Sequence, residues 1–210
     1  MTTLPSADSS HLPPGAPDVV LVHGYDGSGP QHWQTWLRDQ LVSAARQVQF
    51  PQFPDNTNPD LDAWLETLEG ALAVPTPTSG RVVICHSLGC WLWVHAVRRG
   101  LGDALTRVLL VAPPSPSWVS GTLRRFSALN WDNFAAAITP TTDVVIGEGD
   151  DLLPGPDHQS LVDRIPSTRE VARGGHLHTA AGYGPWPAAL AWALGDPRAL
   201  YRETDQPAAR

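Results

Sequence analysis

Residues 82–93 read VVICHSLGCWLW. A β-branched run meets a His-Ser-Leu-Gly corner and then continues in large apolar residues that no longer alternate. This predicts a buried strand, a tight turn at Ser87 and a helix. The same order recurs outward along the chain. VVLVHG, VQFPQF, RVVICHS, TRVLLVAPP, DVVIGEGD and TREVARGGH read as strands, most of them continuous in apolar character, as strands buried on both faces are. Between them HWQTWLRDQLVSAARQ, LDAWLETLEGALAV, LGCWLWVHAVRRG, DHQSLVDRI and PWPAALAWALG repeat their apolar residues at three and four, with Pro or Gly at several ends. Strand and helix in alternation predict an α/β architecture, with about six mostly parallel strands and helices on both faces.

The chain has 210 residues, 42% of them hydrophobic and 17% charged, which is enough for one full core and short for two. A single domain over residues 17–197 is expected. Residues 1–16, rich in Pro, Ser and Thr without a period, read as a mobile leader, and residues 198–210 read as a polar tail. The stretch from Pro113 to Pro140 is the least regular. Its Trp118, Phe126, Trp131 and Phe134 fit either a short helical flap or a satellite of the core.

A formal net charge of -7 gives no basic footprint for nucleic acid or an anionic membrane surface. No apolar run is long enough to span a bilayer, and the first residues lack the basic start and apolar stretch of a secretion signal. A cytoplasmic protein is the expectation. Cys85 and Cys90 flank the turn and read as small buried thiols. Eight histidines raise the question of metal, but His176 and His178 have no matching ligand cluster in the sequence, so no metal is expected.

In an open parallel sheet, ligands and catalytic groups gather at the carboxyl ends of strands. Ser87 follows the third predicted strand, Asp150 ends the fifth and His176 follows the sixth. Ser, then Asp, then His is the chain order of an α/β-hydrolase triad. A nucleophile elbow needs small residues two before and two after its serine, and Cys85 and Gly89 occupy those positions; G-x-S-x-G is met at its second glycine only. An ordinary helix cap is the competing reading of Ser87. In VVIGEGDDLLPGPD the carboxylate that orients the histidine is Asp150, with Asp151 its rival, and an Asp-rich turn or the cap of a helix near Asp157 the plain alternative. In RGGHLHTAAGYGPWP, Gly174 and Gly175 leave room for His176 to reach the serine, and His178 reads as structural. By analogy, the backbone NH groups of Tyr25, in HGYDGSGPQHW, and of Leu88 form an oxyanion hole. That glycine run lacks the G-K-[ST] of a phosphate loop and the spacing of a dinucleotide site.

At these residues the chain resembles the small serine hydrolases grouped with retinoblastoma-binding protein nine and the bacterial YdeN-like proteins, within the α/β-hydrolase superfamily. The resemblance rests on HGYDGSGPQHW, CHSLGCWLWVHA, LLVAPP, GDDLLP and above all GGHLHTAAGYGPWP. It implies a compact hydrolase core with little or no cap domain, a triad at Ser87, Asp150 and His176, and no cofactor. Cys85 departs from the superfamily glycine. The expected activity is cleavage of a small carboxylic ester through an acyl-enzyme, a small-molecule ester being the one partner expected. Thioester or amide cleavage differs only in leaving group. The competing reading is a protein-binding module with an idle triad, for which nine tryptophans offer surface. Trp33, Trp118, Trp131 and Trp186 are candidates for an acyl pocket, at least two of them fitting the core better.

Overall fold

The computed structural model describes residues 18–200 apart from 104–105, 119–120, 127–128 and 172. The predicted leader lies outside the described residues, as does the tail from residue 201. Among the described residues six strands alternate with six α-helices: β1 (Val19–Val22), α1 (Trp33–Ser43), β2 (Val48–Gln49), α2 (Leu61–Leu72), β3 (Arg81–His86), α3 (Leu88–Arg98), β4 (Thr106–Val111), α4 (Trp131–Ala136), β5 (Thr142–Gly147), α5 (Gly155–Arg164), β6 (Arg169–Val171) and α6 (Pro187–Ala193). The strands form one sheet in the order β2-β1-β3-β4-β5-β6, and every pairing is parallel. β1 therefore lies one strand in from the edge, and the order of winding reverses between β1 and β3. That is where an open α/β sheet leaves a crevice at its carboxyl edge.

Alternation along each strand divides the core into two layers. Val20, Val22, Val83, Cys85, Leu110 and Ile146 face α2, α3, α4 and α5, while Leu21, Ile84, Leu109, Val111 and Val145 face α1 and α6. Both faces are buried, which is why the strands read as unbroken apolar runs. VQFPQF yields only two residues of strand, because Pro51 has no N–H to extend a ladder at the sheet's edge. Ala199 and Leu200 are buried in the α1/α6 layer, so the core reaches into the stretch read as a polar tail.

The irregular stretch after β4 supplies core as well as surface. Phe126, Trp131 and Phe134 are buried, and α4 packs on α3 and α5. Trp131 and Phe134 both contact the Trp91 ring of α3, at centroid separations of 5.3 and 5.1 Å. Cys85 and Cys90 are free and buried, and burial pushes both thiols well above their ordinary range. No helix of the described residues is long and apolar enough to cross a membrane.

Candidate active site

Ser87 occupies the corner between β3 and α3 with φ 53° and ψ -124°, a region that non-glycine residues enter only under constraint. The constraint is the close approach of neighbouring backbone. The Ser87 amide donates to the Val111 carbonyl at 2.9 Å, carrying the β3–β4 ladder into the turn. A Cβ on Gly89 would lie 2.7 Å from the His23 carbonyl oxygen and 2.8 Å from that of Val22. Gly89 is therefore required by the end of β1 rather than by an approach to Cys85 across the turn. Ser87 stands at the cap position of α3, but its hydroxyl makes no bond to the helix amides. It turns the other way, to His176.

The His176 imidazole spans the serine and the acid. Its Nε2 lies 2.7 Å from Ser87 Oγ and its Nδ1 lies 2.8 Å from Asp150 Oδ2. A carboxylate can only accept, so Nδ1 donates to Asp150 and Nε2 is left to accept the serine proton. The other Asp150 oxygen accepts from the Leu152 amide at 2.9 Å, and the Asp150 carbonyl accepts from the Leu153 amide at 3.0 Å. The acid is thus fixed by its own loop and nearly sealed from solvent, with 1% of its side chain exposed. Asp151 is exposed, and the carboxylate bonded to His176 is that of Asp150. Asp157 does not cap α5. Its carboxylate instead accepts from Ser115, Ser117 and Trp131, tying the stretch after β4 to α5.

The His176 loop is held from several sides. Gly175 donates its amide to the Glu148 carbonyl at 3.0 Å. A Cβ on Gly147 would lie 2.2 Å from the Gly175 carbonyl oxygen, so the end of β5 and this loop touch backbone to backbone. Behind the loop, His86 donates Nε2–H to the His176 carbonyl at 3.1 Å, and the Trp33 indole donates to the Leu177 carbonyl at 2.9 Å. The sequence reading passed over His86 and took Trp33 as a candidate for an acyl pocket rather than as a support of this loop. A histidine embedded in the buried run VVICH directly before the candidate nucleophile was the available signal. Burial first, then the repulsion that protonated His32 and His176 rings would exert, push His86 well below the usual imidazole range, so it serves as a neutral donor.

Ser87, His176, Tyr25, His32, Trp118 and Leu152 line an open cavity of about 440 Å³. Leu88 is the first residue of α3, where an N–H has no acceptor within the helix. A Cβ on Gly24 would meet Ser87 Cβ at 2.7 Å and the Leu88 nitrogen at 3.2 Å, so the backbone leading into Tyr25 runs directly beside that amide. Of the four candidate pocket tryptophans only Trp118 lines this cavity, 38% exposed. Trp33 and Trp186 pack edge to face at 5.0 Å in the core, and Trp131 is buried with Trp91. Among the described residues no three His, Cys, Asp or Glu side chains form a group able to hold a metal ion.

The sequence matches the model of a serine hydrolase family over residues 19–193. It is 28% identical to YdeN of Bacillus subtilis over 177 residues, covering 80% of this chain and 90% of that protein. The crystal structure of the B. subtilis ydeN gene product superposes with a TM-score of 0.63 at 22% identity, covering 84% of this chain and 96% of that one. A YdeN-like protein from Pectobacterium atrosepticum gives the same TM-score of 0.63 at 23% identity, covering 90% and 91%. Those two structures establish the α/β-hydrolase fold. The family match takes in β1 through α6, including the serine corner and the loops that carry Asp150 and His176, and on that extent the chain belongs to the serine hydrolase family.

Proposed function

We propose that this hydrolase cleaves small carboxylic esters through an acyl-enzyme on Ser87. The observation that carries the reading is the hydrogen-bonded line from Ser87 through His176 to Asp150, opening onto a cavity of the size that takes a small ligand. His176 Nε2 removes the Ser87 proton as Oγ bonds to the ester carbonyl carbon. The carbonyl electron pair moves to oxygen, and the NH groups of Leu88 and Tyr25 stabilise that charge; one such donor contributes on the order of 3 kcal/mol to the barrier. Collapse of the intermediate expels the alcohol, which leaves with the proton that His176 returns. Water then attacks the acyl-serine by the same route, releasing the carboxylic acid and restoring Ser87. Asp150 holds the imidazole in the tautomer the first step needs and stabilises its protonated form. Turnover of nitrophenyl acetate by the wild type, lost in Ser87→Ala, is the expected result; equal rates would refute the assignment.

A further inference from the structure

Four histidines gather around the cavity, and the relay uses one of them. His86 spends its Nε2–H on the His176 carbonyl. His32 and His178 remain, both lining the cavity beside Ser87. His32 precedes α1, and its Nδ1 accepts the Gln34 N–H at 3.1 Å. His178 precedes the single turn Thr179–Ala181, and its Nδ1 accepts the Ala181 N–H at 3.2 Å. An imidazolium has no acceptor, so a ring that accepts at Nδ1 is neutral and carries its proton on Nε2. The two ring nitrogens point in diverging directions. With Nδ1 turned to the backbone, Nε2–H is turned away from it, and among the described residues neither Nε2 has a protein partner.

We propose that His32 and His178 determine specificity, their Nε2–H groups selecting esters that carry a second uncharged oxygen acceptor, such as an ether, hydroxyl or carbonyl, a few atoms from the scissile bond. This rests on the hydrolytic reading above. A hydrocarbon ester that expels water from the cavity leaves both donors unpaired, whereas an oxygenated ester satisfies them. Neutral donors supply no counter-charge to offset the desolvation of an ionised acceptor, which favours an uncharged one. Burial, and then the repulsion that protonated His178, His176 and His23 rings would exert, holds His32 down to about 4, so it donates as a neutral ring at neutral pH.

The test compares nitrophenyl 3-methoxypropanoate with nitrophenyl pentanoate, which differ by one oxygen in place of a methylene. Each kcat/KM is divided by that ester's rate of alkaline hydrolysis. The wild type should favour the ether by about tenfold or more, as expected when a site's donors lose a partner. His32→Asn and His178→Asn keep an acceptor for the backbone N–H but withdraw the Nε2–H, and each should lower the ether-to-hydrocarbon ratio by about fivefold. A purely structural role would lower both esters together and leave the ratio unchanged. A wild-type ratio near one, or a ratio preserved in both variants, overturns the proposal while leaving ester hydrolysis intact. Failure of the wild type to exceed Ser87→Ala on either ester overturns the hydrolytic reading itself.

Discussion

Asp150 and Asp151 are adjacent carboxylates in opposite surroundings: one is sealed against His176, the other lies in solvent. Only a carboxylate within hydrogen-bond reach of Nδ1 can set the imidazole tautomer. Asp150→Asn should therefore lower kcat on nitrophenyl acetate by about 10⁴-fold, while Asp151→Asn stays within about twofold. Comparable losses in both variants would contradict the assignment. That Ser87, Asp150 and His176 come together was legible because each lies beyond the carboxyl end of a strand, Ser87 immediately and the other two on the loops that follow β5 and β6, and because their order along the chain is characteristic. The choice between the two aspartates was not, since it depends on a loop in which Asp150 accepts the Leu152 amide and so turns its other oxygen to the histidine. His86 and Trp33 were illegible for a similar reason. Each acts on the carbonyl of a residue, His176 or Leu177, that lies far along the chain.

At the level of elements, the site depends on how closely β5 and the His176 loop approach. Gly147 ends β5, and no side chain fits there: a Cβ would stand 2.2 Å from the Gly175 carbonyl oxygen and 2.7 Å from the Gly174 carbonyl carbon. Relief requires moving either the strand end that leads to Asp150 or the loop that bears His176. Gly147→Ala should accordingly lower kcat/KM on nitrophenyl acetate by about 100-fold, since an ångström of misplacement in a reacting group costs that much, and it should also lower Tm. Wild-type kinetics in this variant would show that the close approach does not position the site. The strands and the main helices were readable from apolar runs and periodicity. The approach of β5 to a loop some 28 residues later was not, because a glycine in GEGDD is indistinguishable by pattern from a turn glycine. Nor did pattern separate flap from core after β4, where the same aromatic content yields a buried Phe126 and an exposed Trp118.

Across the whole molecule, two buried layers enclose the sheet, and several imidazoles lie within or against them in neutral form. Burial lowers His23 and His86 from the usual 6.5, and lowers His32 to about 4. In the unfolded chain these rings regain that usual value. Between about pH 4 and 6.5 the unfolded state then binds more protons than the folded one, so stability is present above this window and is lost as pH falls through it. The loss approaches about 1.4 kcal/mol per pH unit for each ring fully neutral in the folded state and protonated in the unfolded one. Denaturant midpoints should fall steadily from pH 7 to pH 4, and His32→Asn should flatten that dependence; an unchanged slope in the variant would contradict a neutral buried His32. At one edge the two layers bring three residues distant in sequence, Ser87, Asp150 and His176, together. That convergence is tested most directly by nitrophenyl acetate turnover before and after treatment with a fluorophosphonate, with the modified residue located by peptide mass. The account predicts turnover that disappears as a single label appears on Ser87, and neither turnover nor label in Ser87→Ala. Undiminished turnover in that variant, or a label carried elsewhere, would contradict it.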